Sequence, residues 1–174
     1  MSSLFIIALT TLKRTEGAAT SLKFTAELSD PITMGLTTIP AGRDIVVQGQ
    51  LQSVGDGVLV MADVSTQRDY QCSRCLKLDS EDVEIAIQEL FVYPERNQEY
   101  QGEDVSYISD DSINLEESIR DALILDQPLS PVCTPDCLGL CPTCGADLNA
   151  EPEHNHDDNI DTRWLTLSEW GKMS

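Results

Sequence analysis

The residues best suited to chemistry in this chain are its six cysteines, which fall in two groups. One is Cys72-Ser73-Arg74-Cys75. The other runs from Cys133 through Cys137 and Cys141 to Cys144, followed by Gly145. Thiolates favour zinc and similar borderline metals, and zinc takes four ligands tetrahedrally. Two cysteines separated by two residues can aim both sulfurs at one point, because the turn between them folds the backbone back. Cys141-Pro142-Thr143-Cys144-Gly145 suits such a knuckle, since Pro142 favours the turn and Gly145 tolerates the left-handed conformation after it. Cys133 and Cys137 are more widely spaced, with Pro135 again favouring a turn.

Two tetrathiolate sets follow. Cys133, Cys137, Cys141 and Cys144 would close a compact local site; this set needs no tertiary assumption and is the expected one, holding one structural zinc ion. In the alternative, Cys72 and Cys75 join Cys141 and Cys144 and strap the C-terminal segment to a sheet. An iron–sulfur cluster would use the same four thiolates. A redox pair at Cys72 and Cys75 lacks the surrounding βαβ pattern of a thioredoxin. Cysteines serving only as small hydrophobes fit poorly beside Asp136 and Thr143. His154 and His156 lie in a polar run from Glu151 to Asp158 that reads first as a solvated loop, although either imidazole could replace a missing cysteine ligand. No phosphate-binding glycine loop, Ser-His-Asp arrangement or HExxH helix is present in the sequence, and a zinc with four protein ligands leaves no position for an activated water. No enzymatic activity is expected.

The elements that must position these groups are legible from periodicity. Asp44 to Ser53 alternates, with Ile45, Val47 and Leu51 on one face. After the turn at Gly55-Asp56-Gly57, Val58, Val60, Ala62 and Val64 repeat the pattern, and Ser80 to Val92 alternates through Val83, Ile85, Ile87 and Phe91. These three strands form an antiparallel meander, with barrel-like closure as one option. Leu22 to Leu28 and Ile32 to Thr38 are weaker strand candidates. An acidic loop spans about residues 95–111. A helix begins near Asn114, where Asn114 and Glu117 have capping-box spacing, and carries Leu115, Ile119, Ala122 and Leu123 on one face until Pro128 and Pro131 end it. A short helix could carry Trp164, Leu167 and Trp170. The fold class is therefore α+β: an antiparallel sheet, one main helix and a C-terminal zinc-knuckle segment, read as a single domain over residues 1–174 with a cysteine-rich part from 131 to 174.

Charge narrows the partners. The chain has 174 residues with 30 Asp and Glu against 11 Lys and Arg, a net charge of −19. Residues 1–50 carry four acids and four bases, whereas residues 81–130 carry fourteen acids and two bases. Such a surface repels a polyanion at long range, so direct RNA binding is expected to be weak or indirect, and a basic protein is the more natural partner. The run from Leu4 to Leu9 is too short for a membrane span and lacks a preceding Lys or Arg, so a cytoplasmic protein with no membrane partner is expected.

Taken in order, several motifs resemble those of the YceD family. They are Cys72-Ser73-Arg74-Cys75-Leu76, Glu89 to Pro94, Ile113-Asn114-Leu115, Arg120-Asp121-Ala122 through Pro128-Leu129, the stretch ending at Cys144-Gly145, and Ile160 to Trp164. The likeness runs from about Asp44 to Trp170 and is to an actinobacterial-type member with a second cysteine cluster; Asn114 and Thr162 stand where Asp and Pro are usual. The resemblance implies a cytoplasmic, non-enzymatic ribosome-assembly factor that supports accumulation of large-subunit ribosomal RNA. With the charge asymmetry, this suggests binding of a basic ribosomal protein or a large-subunit assembly intermediate. The alternatives are a metal- or thiol-dependent enzyme acting on RNA, and a module touching ribosomal RNA directly through Lys13, Arg14, Lys23 and Arg43.

Overall fold

In the computed structural model of the chain, residues 5–96 and 105–156 are described. The alternating segments form the frame of the sheet. β5 (Asp44–Val54), β6 (Gly57–Gln71) and β7 (Leu78–Val92) pair antiparallel in sequence order, and β2 (Ala19–Glu27) adds to the free edge of β5. Ile45, Val47 and Leu51 of β5, the four alternating residues of β6, and Val83, Ile87 and Phe91 of β7 are all buried on one face. Period-two alternation puts one apolar side of a sheet on a core and leaves the other to solvent.

Two features extend past the apolar pattern. β6 runs on to Gln71 because its polar end is held by cross-strand partners. The Arg68 guanidinium meets Glu81 at 2.8 Å and also reaches the Asp126 carboxylate at 3.2 Å. The candidate strand from Ile32 to Thr38 is instead a small hairpin, β3 (Ile32–Met34) and β4 (Thr37–Ile39), because Gly35 takes φ +59° and reverses the chain. β4 then pairs with the far end of β6.

The sheet does not close into a barrel. Its apolar face is covered by other elements: a ribbon of β1 (Ile6–Ala8) with β9 (Ser112–Asn114), and the helix α1 (Glu116–Leu125). Phe5, Ile113, Leu115, Ile119 and Leu123 join the sheet residues in one apolar cluster. With that face covered, curling the sheet on itself would bury nothing more.

The expected capping box at Asn114 is not formed. Asn114 is committed to β9, opposite Ile6, and the helix is capped from Leu115 without a side-chain bond. Asn114 still contributes: its Oδ1 accepts the Glu116 backbone N–H at 3.0 Å. The apolar stripe Leu115, Ile119, Leu123 is fully buried as the spacing predicts. Of the acidic loop, residues 105–111 are not free: β8 (Ser106–Tyr107) pairs parallel with the end of β7, and Ile108 is buried. Residues 97–104 of that loop, and the Trp164 to Trp170 helix, lie outside the described residues. No helix among the described residues is long and apolar enough to cross a membrane.

Candidate metal centre

The hairpin between β6 and β7 creates the first half of the centre. Gln71 pairs with Leu78, so residues 72–77 form the connection. Within it the Cys72 N–H donates to the Lys77 carbonyl at 2.8 Å and the Leu76 N–H to the Cys72 carbonyl at 2.9 Å. Leu76 sits at φ +59°, the left-handed residue that lets the loop return. Cys72 and Cys75 are therefore buried with both sulfurs turned away from the sheet's core.

The segment after α1 crosses this loop and supplies the second half. The Ser73 N–H donates to the Pro131 carbonyl at 2.8 Å, and the Leu140 N–H donates to the Arg74 carbonyl at 3.1 Å. The Arg74 guanidinium donates to the Cys137 carbonyl at 2.9 Å and to that of Pro135 at 3.3 Å. Gly139 makes the crossing possible. It has φ +80°, and a Cβ there would lie 3.0 Å from the Arg74 carbonyl oxygen. Lys77 closes the far side on Asp147 at 2.8 Å.

This crossing brings Cys72, Cys75, Cys133 and Cys137 together, with all four sulfurs within 4.8 Å of one another. The Cys72 and Cys137 sulfurs are 3.9 Å apart, and those of Cys75 and Cys133 are 3.6 Å apart. A tetrahedron with metal–sulfur bonds of about 2.3 Å has edges of about 3.8 Å, and these two separations match such edges. None of the six cysteines is paired in a disulfide.

The surroundings favour thiolate at Cys72 and oppose it at Cys75 and Cys133. Donation by the Cys75 N–H, then by that of Cys133, draws the Cys72 thiol down to about 6 against its burial. Cys133 is pushed up to about 12, first by its contact with Cys75 and then by burial. Crowding thus favours a charged sulfur at Cys72 and opposes a second one at Cys133. Asn149 supports the set from outside: its Nδ2 donates to the Cys137 sulfur at 3.5 Å while its Oδ1 accepts the Leu138 N–H at 2.8 Å.

The structure assembles neither of the two foursomes expected from sequence. Cys133, Cys137, Cys141 and Cys144 are divided between two groups, and Cys72 and Cys75 do not meet Cys141 and Cys144. The physical reason is the stretch from Leu138 to Leu140. It is bonded to Arg74 on one side and, at Leu140, bridges Asp147, so it carries Cys141 away from Cys137. Cys141 and Cys144 gather instead with His154 and His156. The polar loop that reads as solvated thus contributes to a second group able to hold a metal. The knuckle itself forms as the spacing predicts, with Gly145 at φ +77° and its N–H on the Cys141 carbonyl at 2.8 Å.

Arg74 and Asn149 were not legible as site residues. Their roles are hydrogen bonds to carbonyls and to a sulfur brought close only by the crossing. Asp147 is a similar case, its carboxyl drawn down to about 2 chiefly by Lys77 and then by Asn149. A carboxyl lowered on folding stabilises the fold above its unfolded value near 4, and that contribution is lost as pH falls towards 2. In a Lys77→Met variant, the Asp147 titration followed by NMR should move up towards the ordinary carboxylate range.

Comparison with known proteins points one way. A family model described as "Large ribosomal RNA subunit accumulation protein YceD" matches residues 60–169. An uncharacterized Mycobacterium tuberculosis protein is 39% identical over 160 residues, which cover 91% of this chain and 77% of that protein. An uncharacterized Mycobacterium leprae protein is 34% identical over 166 residues, 94% of this chain and 76% of its own. A Zea mays protein named "Large ribosomal RNA subunit accumulation protein YCED homolog 1, chloroplastic" is 49% identical over 41 residues, 24% of this chain and 14% of its own length. No solved structure matches.

Proposed function

The chain belongs to the YceD family, and from that premise we propose that it acts in the cytoplasm as a non-enzymatic assembly factor. In this reading it supports accumulation of large-subunit ribosomal RNA by holding a basic ribosomal protein or an assembly intermediate. The observation that carries the reading is the placement of negative charge. Between β7 and α1 runs a groove of about 480 Å³, lined among others by Glu89, Glu117 and Asp121, with no basic residue among the described residues of its wall. A Lys- or Arg-rich segment would meet complementary charge there, whereas a phosphate backbone would not.

One zinc ion on Cys72, Cys75, Cys133 and Cys137 would fill all four positions with protein thiolates. Its role is then to keep the strap after α1 docked on the β6–β7 loop. Glu117 and Asp121 stand on the helix that leads into that strap, so the centre would keep the groove in register with the rest of the surface. The family description names accumulation of an RNA and no reaction.

Retention of large-subunit proteins on the purified chain tests the reading. Binding is expected at low salt and should weaken about tenfold or more as ionic strength rises to physiological values, because Debye screening shortens to about 8 Å. A Glu89→Gln, Glu117→Gln, Asp121→Asn variant should bind about tenfold more weakly at unchanged melting temperature. Tight binding of naked precursor RNA, with no ribosomal protein retained, would overturn the proposal.

A further inference from the structure

We propose that Cys141, Cys144, His154 and His156 hold a second zinc ion, independent of the tetrathiolate and of the function assigned to the chain. The ligand atoms converge. The Cys144 sulfur lies 3.1 Å from His154 Nε2 and 3.2 Å from His156 Nε2, and the two Nε2 atoms are 2.9 Å apart. All four ligand atoms fall within 4.8 Å of one another. Zinc bonds of about 2.0–2.1 Å to nitrogen and about 2.3 Å to sulfur give tetrahedral edges of about 3.3–3.6 Å. A small outward movement of these side chains therefore admits the ion.

Hydrogen bonding alone accounts poorly for the arrangement. Three atoms in mutual contact form a near-equilateral triangle, and an imidazole N–H lies along the bisector of its ring angle. A proton on one nitrogen cannot point straight at both other corners, and bonds weaken steeply as they bend. A cation at the centre satisfies all three lone pairs at once. The two rings are nearly perpendicular, 81° between planes, so both can present Nε2 without stacking. Glu151 stands behind the first of them, its Oε2 3.6 Å from His154 Nδ1. A carboxylate on that side favours the proton on Nδ1 and leaves Nε2 free to ligate, the usual arrangement around metal-bound histidine.

Little else in this lobe could hold it together. Of residues 141–156, only Cys141 is buried. Among the described residues no apolar core offsets the entropy of ordering the segment, yet its backbone is folded. The Cys141 N–H donates to the Ala146 carbonyl at 2.8 Å, the Glu151 N–H to Asp147 at 3.0 Å and the His154 N–H to Glu151 at 3.0 Å. Small units without a core are commonly held by a structural metal. The ligands come from two turns of one local segment, so this ion closes the lobe alone, while the tetrathiolate joins two distant parts of the chain. Cys144 is exposed where Cys72 is fully buried, so the second ion is the one a chelator reaches first.

Metal analysis of the full chain tests this. The wild type should carry two zinc ions per chain, a His154→Ala, His156→Ala variant one, and a His154→Cys, His156→Cys variant two. Titration of the stripped wild type with cobalt(II) should give overlapping spectra of a four-sulfur and a two-sulfur, two-nitrogen site. The mixed component should vanish in the alanine variant and convert to four-sulfur character in the cysteine variant. A wild-type cobalt spectrum without the two-sulfur, two-nitrogen component, or a metal content unchanged in the alanine variant, would overturn the proposal. Should the alanine variant fail to fold, absence of the mixed-ligand component from the wild-type cobalt spectrum would do the same.

Discussion

Replacing Cys133 by serine should release the ion proposed on Cys72, Cys75, Cys133 and Cys137 and undock the strap while the sheet stays folded. Serine keeps the size of the side chain but offers a neutral hydroxyl in place of a thiolate. Loss of groups that only support a metal ligand typically costs ten- to a hundredfold in affinity, so losing a ligand itself should cost more than about a hundredfold. The structure says where that loss is felt. Cys72, Cys75 and Cys137 form an apolar cluster of their own with Val132, Cys133 and Leu140, and none of these belongs to the cluster under the sheet. Beyond Asp126 on Arg68 and Gln127 on Thr37 at its start, the strap is otherwise held by a few hydrogen bonds around Arg74 and by the Lys77–Asp147 pair, each a modest contribution.

Hydrogen exchange checks the division. The amides of Ser73 and Leu140, which bond across the crossing, should lose protection, while those between β5 and β6 keep it. Chelation of the wild-type ion should reproduce the pattern. An ion present at a thousandfold over its dissociation constant adds about 4 kcal/mol to the state that binds it, so the change should be large for the strap. If β5 and β6 exchange as fast as the strap, the two clusters are one cooperative unit and the proposed division is wrong.

Replacing Gly49 by alanine should unfold the sheet or come close to it. Gly49 lies in the middle of β5, paired with Ala62 of β6. A Cβ there would sit 2.5 Å from the Ala62 Cα and 2.7 Å from its Cβ, and nearer still to the Met61 carbonyl oxygen. The obstruction is largely backbone, and β6 cannot retreat because β7 is bonded along its other edge. The strands must separate locally, at a cost of about 3 kcal/mol or more, against a total stability of about 5–15 kcal/mol for such a domain. Gly55→Ala is the matched control. Nothing lies within 4 Å of a Cβ at that turn and its φ is not in the left-handed region, so the change should stay within about 0.5 kcal/mol. Urea unfolding of both variants distinguishes steric exclusion from a general cost of losing glycine.

What could be read without coordinates was what depends on neighbours in the chain. Alternation identified β5, β6 and β7 because a strand's two faces follow directly from residue order. The spacing of Leu115, Ile119 and Leu123 did the same for the buried stripe of α1. The knuckle at Cys141 to Gly145 is a local turn and formed where the spacing places it. Misreadings began where a residue had a competing commitment. Asn114 does not form the capping box with Glu117 because its backbone pairs with Ile6, and its side chain takes the Glu116 N–H instead; Ser65 to Gln71 stayed in β6 through cross-strand charge pairs that leave no apolar period.

The partition of the candidate ligands belonged to the tertiary structure alone. Cys72 and Cys133 are 61 positions apart, and whether their sulfurs meet depends on the direction in which the strap crosses the β6–β7 loop. That direction is set by Gly139 passing the Arg74 carbonyl and by Arg74 gripping the carbonyls of Pro135 and Cys137. Residue types and their spacing show that thiols and imidazoles can bind a metal; only the path of the backbone decides which four of them can reach one point.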